Sequence, residues 1–217
     1  EMELGTIWNS ALKFFRNKVS NQNGYVAPTD YNDDFDRVSL KPGDYSDIGQ
    51  AKVLSREYGN ELLYTNATDY LRYDGRCWVE NKQMAVGAME EFLDIQLADA
   101  LDEVGNTKKA LLDMGFDEKD ISSGGKQLEK AVEGDQLAAY FAYLAAKQYL
   151  AFVMKHRDYK YITSALNAAK PMLSADVNDL DKDENLLNTP QATYDLREGL
   201  SGVAEHDSQN LITKITE

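Results

Sequence analysis

Lys155, Arg157, Lys160 and Tyr161 fall together in the stretch KHRDYKYITSAL, with Lys147 upstream, Lys170 downstream and Asp158 as the only acid in between. Lysine and arginine can neutralise phosphates while tyrosine rings stack on unpaired bases, so these types at this spacing suit single-stranded nucleic acid. Lys147, Lys155, Arg157, Lys160 and Tyr161 are therefore the candidate nucleic-acid-binding residues. The same side chains suit a plainer role at a helix-to-helix junction, facing a helix C-terminus or the acidic segments Glu129–Asp135 and Asp176–Glu184. A formal net charge of -14 favours the plainer role and opposes any duplex-wrapping function, which runs on clustered cations.

Other chemistries find less support. SSGGKQ, residues 122–127, lacks the GxxxxGK[ST] frame of a phosphate-cradling loop, and no apolar strand precedes it. In DVNDLDKDEN the spacing of Asp179, Asp181 and Asp183 fits the start of a calcium loop. Glu184 then occupies the glycine position and Pro190 the terminal bidentate position, so a solvated acidic loop is expected. His156 and His206 are the two histidines, and neither has a glutamate at zinc-ligand spacing. Cys77, the single cysteine, stands beside Trp78 and reads as a buried, inert thiol; it rules out an intrachain disulfide. No catalytic residue, metal set or cofactor is assigned to this stretch of chain.

The elements that position these residues follow from apolar spacing. Ile7, Trp8, Ala11, Leu12 and Phe15 predict a helix over Ile7–Val19, followed by an Asn-, Asp-, Gly- and Pro-rich loop packed down by its aromatic residues. Ser46 or Asp47 caps a helix with Ile48, Ala51, Val53 and Leu54 inward and Gly59 as its stop. Aromatic-rich runs around Asn66–Thr68 and around Asp74-Gly75 predict a three-stranded meander. Met89, Phe92, Leu93, Gln96, Leu97, Ala100, Leu101 and Val104 line a long helix ending at Gly105. KKALLDMGFDEKDISSGGKQ reads as a polar connector. Helices are expected over Asp135–Lys155 and over Tyr159–Ala169, the latter stopped by Pro171. Asn188-Thr189-Pro190 starts a turn, ATYDL a strand, and Glu198-Gly199 a turn toward a further strand at LITKIT. The expected class is mainly α with small β elements, a helical domain with a three-stranded meander and a C-terminal β-turn-strand module. The expected domains are 1–45, N-terminal helix and packed loop, and 46–217, the helical body.

The hydrophobic share of 43% and charged share of 28% belong to an ordinary globular chain. The N-terminus carries acids where a signal peptide needs cations, and no uninterrupted apolar run reaches about 18 residues, so a cytoplasmic protein without membrane contact is expected. Because the chain starts at Glu1 and breaks off inside LITKITE, a piece of a longer polypeptide is expected.

Four segments carry a family resemblance: SDIGQAKVLSREYGNELLYT, DYLRYDGRCWVEN, HRDYKYITSALNAAKPMLS and ENLLNTPQATYDLREGLSGVAEHDSQNLITKIT. Together they resemble the region that precedes the superfamily 3 helicase module in phage and plasmid primase-helicases, named for its similarity to the N-terminal half of the poxvirus protein. Leu187, Asn188, Thr189, Asp195, Leu196, Arg197, His206 and the terminal Ile-Thr-Lys stand where that family's last block has them; Gln191-Ala192 replaces its frequent Asn-Gly. The resemblance implies a non-catalytic adaptor or collar in a DNA replication protein. Its partners would be the helicase and primase domains of the same polypeptide and single-stranded DNA. ATP and Mg would serve the helicase module, and the parent would form a hexamer whose isolated fragment is a monomer. The rival is a stand-alone acidic interaction protein, a DNA mimic or inhibitor, acting through its negative surface.

Overall fold

A computed structural model describes residues 39–123 and 134–216. The expected helix over Ile7–Val19, the loop up to residue 38 and residues 124–127 at the end of the connector lie outside the described residues. The elements are α1 (Asp47–Tyr58), β1 (Leu62–Thr65), β2 (Asp69–Tyr73), β3 (Trp78–Glu80), α2 (Lys82–Asp113), α3 (Glu118–Ser123), α4 (Asp135–His156), α5 (Tyr159–Ala169), β4 (Leu186–Asn188), β5 (Thr193–Asp195) and β6 (Val203–Ala204). The class is α+β, mainly helical with two small antiparallel sheets, as expected. The chain divides into two compact units, Pro42–Phe92 with Asp158–Glu217, and Glu1–Lys41 with Leu93–Arg157.

In the unit that holds both sheets, α1 starts where the Ser46 hydroxyl accepts from the Gly49 amide at 3.0 Å. Gly49 must lack a side chain, because a Cβ there would fall on the Asp44 carbonyl. The helix buries Gln50, Ala51, Val53, Leu54 and Tyr58. Ile48, expected inward, is 56% exposed in the open first turn at the edge of that stripe. The meander runs in the order β1-β2-β3, with Tyr64 opposite Tyr70 and Tyr73 opposite Trp78. Its second turn is held by the Asp74 carboxylate, which accepts from the amides of Arg76 and Cys77 at 2.8 and 2.9 Å, and by Gly75 at φ 94°, a conformation that favours glycine. The Tyr70 hydroxyl donates to the Leu166 carbonyl at 2.6 Å and so fastens the sheet to α5, whose Ile162, Ala165, Leu166 and Ala169 are buried.

The second sheet, β4-β5-β6, aligns Leu187 with Tyr194 and Tyr194 with Val203. Gly199 at φ 61° supplies its second turn. LITKIT, expected as a further strand, has no regular secondary structure and pairs with neither sheet as a strand, because its backbone groups are divided among separate partners.

In the other unit, Leu111, Ile121, Tyr140 and Tyr143 form a core against which Val104, Phe116, Leu137 and Leu144 pack. This core explains two departures from expectation. α2 passes through Gly105 and continues to Asp113, so that the first part of the presumed connector is helix, and α3 follows. Glycine costs a helix interior about 1 kcal/mol, less than the roughly 1.5–3 kcal/mol that burial of the Leu111 side chain returns. Leu101, expected in the inward stripe, is exposed. α4 is long and apolar enough to cross a membrane by length and composition, and about a third of its apolar stretch, including Tyr140, Tyr143, Tyr149 and Val153, is buried in protein. Since a Cβ on Gly105 would meet nothing within 4 Å, Gly105→Ala is expected to raise unfolding free energy by about 0.5–1 kcal/mol, read as a higher urea midpoint at unchanged slope.

Candidate functional site

The C-terminal block converges on Asn188. Its side-chain oxygen accepts from the Thr193 hydroxyl at 2.9 Å and from His206 Nδ1 at 2.8 Å, and its amide nitrogen donates to the Arg76 carbonyl at 2.9 Å. An amide oxygen only accepts, so the hydrogen of His206 resides on Nδ1. Its Nε2 is buried without a hydrogen-bond partner among the described residues. Asn188 and Thr193 are themselves buried, so this network ties β4, β5 and the segment after β6 to the turn before β3 out of reach of water. Gly202 closes the sheet, because a Cβ there would collide with the Asp195 carbonyl.

Residues 211–216 are clamped onto this framework. The Ile212 carbonyl accepts from the Trp78 amide at 2.8 Å, and the Thr216 amide donates to the Asn188 carbonyl at 2.9 Å. Asp181 accepts from the Thr213 amide at 2.7 Å and from its hydroxyl at 2.5 Å, while the Asp181 amide donates to the Leu211 carbonyl at 3.0 Å. Asp181 and Leu211 both sit in the left-handed region, at φ 52° and 49°, a strained state for a leucine that the surrounding bonds hold in place. Burial pushes the Asp181 carboxyl up, but the Thr213 bonds and the Lys214 cation outweigh it and hold the carboxyl below its usual value. A depressed carboxyl contributes stability that is complete above the unfolded-state value and is lost as pH falls through the folded one. The stability difference between the wild type and Asp181→Asn is therefore expected to be full near about pH 6 and to shrink below about pH 4, as read by urea denaturation.

The sequence-derived nucleic-acid candidates are divided between the units. Lys147, Lys155 and Arg157 belong to the unit with α4, Lys160 and Tyr161 to the other. Arg157 is paired with Asp94 at 2.6 Å, Lys147 lies over the Tyr143 ring at 5.6 Å and Lys160 over the Tyr161 ring at 5.5 Å. Lys170 is held by Asp69 at 3.2 Å and by the Tyr64 ring at 4.7 Å. Of these partners only Asp94 and Asp69 are acids, and neither belongs to the acidic segments Glu129–Asp135 and Asp176–Glu184.

The remaining chemistry-bearing types are engaged by protein. Asp179 pairs with Lys182, Asp181 with Thr213 and Lys214, and Asp183 with Arg197, three separate directions for the acids whose spacing resembled a calcium loop. Cys77 is buried, which pushes its thiol up and keeps it from the reactive thiolate form. His156 Nδ1 lies 2.9 Å from the Phe152 carbonyl. Thr193 is a member of the C-terminal framework that the sequence did not single out, and Asp181 was noted there only for its calcium-like spacing, not for this role. The alternation of ATYDL was the available signal for Thr193; the bond from Asp181 to Thr213 had none, since the partner lies 32 positions away.

The family profile described as D5 N terminal like matches residues 51–217, well over half of the chain. A search of curated proteins finds no match.

Proposed function

The chain belongs to the D5 N terminal like family, the region that precedes the superfamily 3 helicase in primase-helicases, and from that premise we propose that it is a non-catalytic adaptor for the ATPase module. The observation that carries the reading is the clamp on residues 211–216. An adaptor must pass orientation from its body into the polypeptide that follows, and a segment bonded to Trp78, Asp181 and Asn188 does so where a free tail would not. In this reading the parent is a mobile-element DNA replication protein, ATP and Mg serve the helicase module, and the ring is hexameric. Lys147, Lys155, Lys160 and Tyr161 guide single-stranded DNA, with Arg157 contributing when it leaves Asp94.

Two experiments test it. The reading frame after Glu217 is expected to encode a GxxxxGK[ST] loop; a stop codon there removes the adaptor and favours the rival, an acidic interaction protein acting through the -14 net charge. Charge removal at Lys147, Lys155, Arg157 and Lys160 in the ATPase-bearing polypeptide is expected to weaken single-stranded DNA binding by about tenfold or more at low salt and to flatten its salt dependence. Unchanged binding ends the DNA-guiding role and leaves the adaptor role standing.

A further inference from the structure

The second sheet wears its polarity inside out. Leu187, Tyr194 and Val203 are directly paired across the three strands, so their side chains share one face, and Leu196 stands in the turn that follows β5. Leu187, Leu196 and Val203 are 37%, 57% and 52% exposed. The opposite face buries Asn188 and Thr193 in their closed hydrogen-bond network with His206. A sheet with one face in water ordinarily turns the apolar side inward. Single exposed aliphatic residues need no explanation, whereas a contiguous row across three strands marks a contact surface.

The surroundings indicate what covers it. Arg197 is the one lysine or arginine between Asp183 and Asp207, and it is held by Asp183 and Asp195 at 2.9 and 2.7 Å. Glu184, Glu198 and Glu205 in the same stretch of chain are exposed. Two copies meeting through this face would bring like charges together, whereas a partner with an apolar centre and a lysine or arginine rim complements it. The Thr216 amide bonds to the Asn188 carbonyl on the edge strand β4, which holds Thr216 at the edge of the sheet that carries the row. We infer that Leu187, Tyr194, Leu196 and Val203 form the docking surface for the ATPase module of the same polypeptide, through an apolar, basic-rimmed patch on that module. This rests on the adaptor reading above.

Backbone hydrogen exchange compares this 217-residue chain with the polypeptide that continues into the ATPase module. The amides of Tyr194, Leu196, Val203 and Ala204 are expected to exchange at least about tenfold more slowly in the longer form. Leu196→Glu with Val203→Glu abolishes the difference while leaving the urea midpoint of the shorter chain in place, since both side chains already face water. Equal exchange in the two forms, with the ATPase module present and active, overturns the docking surface and leaves the adaptor reading intact. Protection that grows with concentration of the shorter chain overturns it in favour of a second copy. A reading frame without a P-loop module removes the adaptor reading and this occupant together.

Discussion

Trp78→Ala is expected to cost about 3–5 kcal/mol of unfolding free energy, the range for truncating a buried large aromatic residue. Trp78 is only 3% exposed, its ring lies 5.6 Å from that of Tyr73, and its indole nitrogen donates to the Ser208 carbonyl at 2.8 Å. Truncation removes ring burial, aromatic contact and hydrogen bond together, leaving the Ser208 carbonyl to find water. Trp78→Phe separates these contributions: most apolar area stays, and the loss falls to about 1–3 kcal/mol for the unpaired carbonyl and the smaller ring. Because the indole also anchors the Ser208 carbonyl just before residues 211–216, the alanine variant loosens that segment as well. Urea denaturation measures the total, and exchange of the Thr213 and Thr216 amides measures the clamp. Similar midpoints for alanine and wild type would show that Trp78 contributes no more than a surface residue.

Asn188→Ala follows at about 3 kcal/mol, since truncation strands the Thr193 hydroxyl, His206 Nδ1–H and the Arg76 carbonyl inside the protein, where an unpaired polar group costs about 1–3 kcal/mol. The sum stays below three separate penalties because the groups are coupled and Thr193 and His206, 3.2 Å apart, can bond each other. Adding Thr193→Val to Asn188→Ala should therefore cost much less than the two single losses together, because the second change removes a group that the first has already stranded. Additive losses in that double-mutant cycle would mean that the Asn188 contacts are independent of one another.

Local pattern made much of the architecture legible. α5 occupies Tyr159–Ala169 as its apolar spacing requires, the Asp74-Gly75 turn joins β2 to β3, and Asn188-Thr189-Pro190 separates β4 from β5. Gly105 shows the limit of such signals. A glycine stop is a local preference of about 1 kcal/mol, and a core assembled from Leu111, Ile121, Tyr140 and Tyr143 overrides it. Ile48 and Leu101 failed for a related reason, since helical spacing specifies a stripe but not which neighbours cover its edge.

By itself, then, the sequence determined the order and kind of the elements, the turns that join them and membership in the D5 N terminal like family, because these depend on neighbours a few residues apart. Tertiary structure alone decided that Asn188 meets Arg76 and His206, that Asp181 holds Thr213 and that the Leu187–Tyr194–Val203 row faces outward. Those outcomes depend on pairing register and on partners up to 112 positions apart, distances over which no period or turn preference carries information.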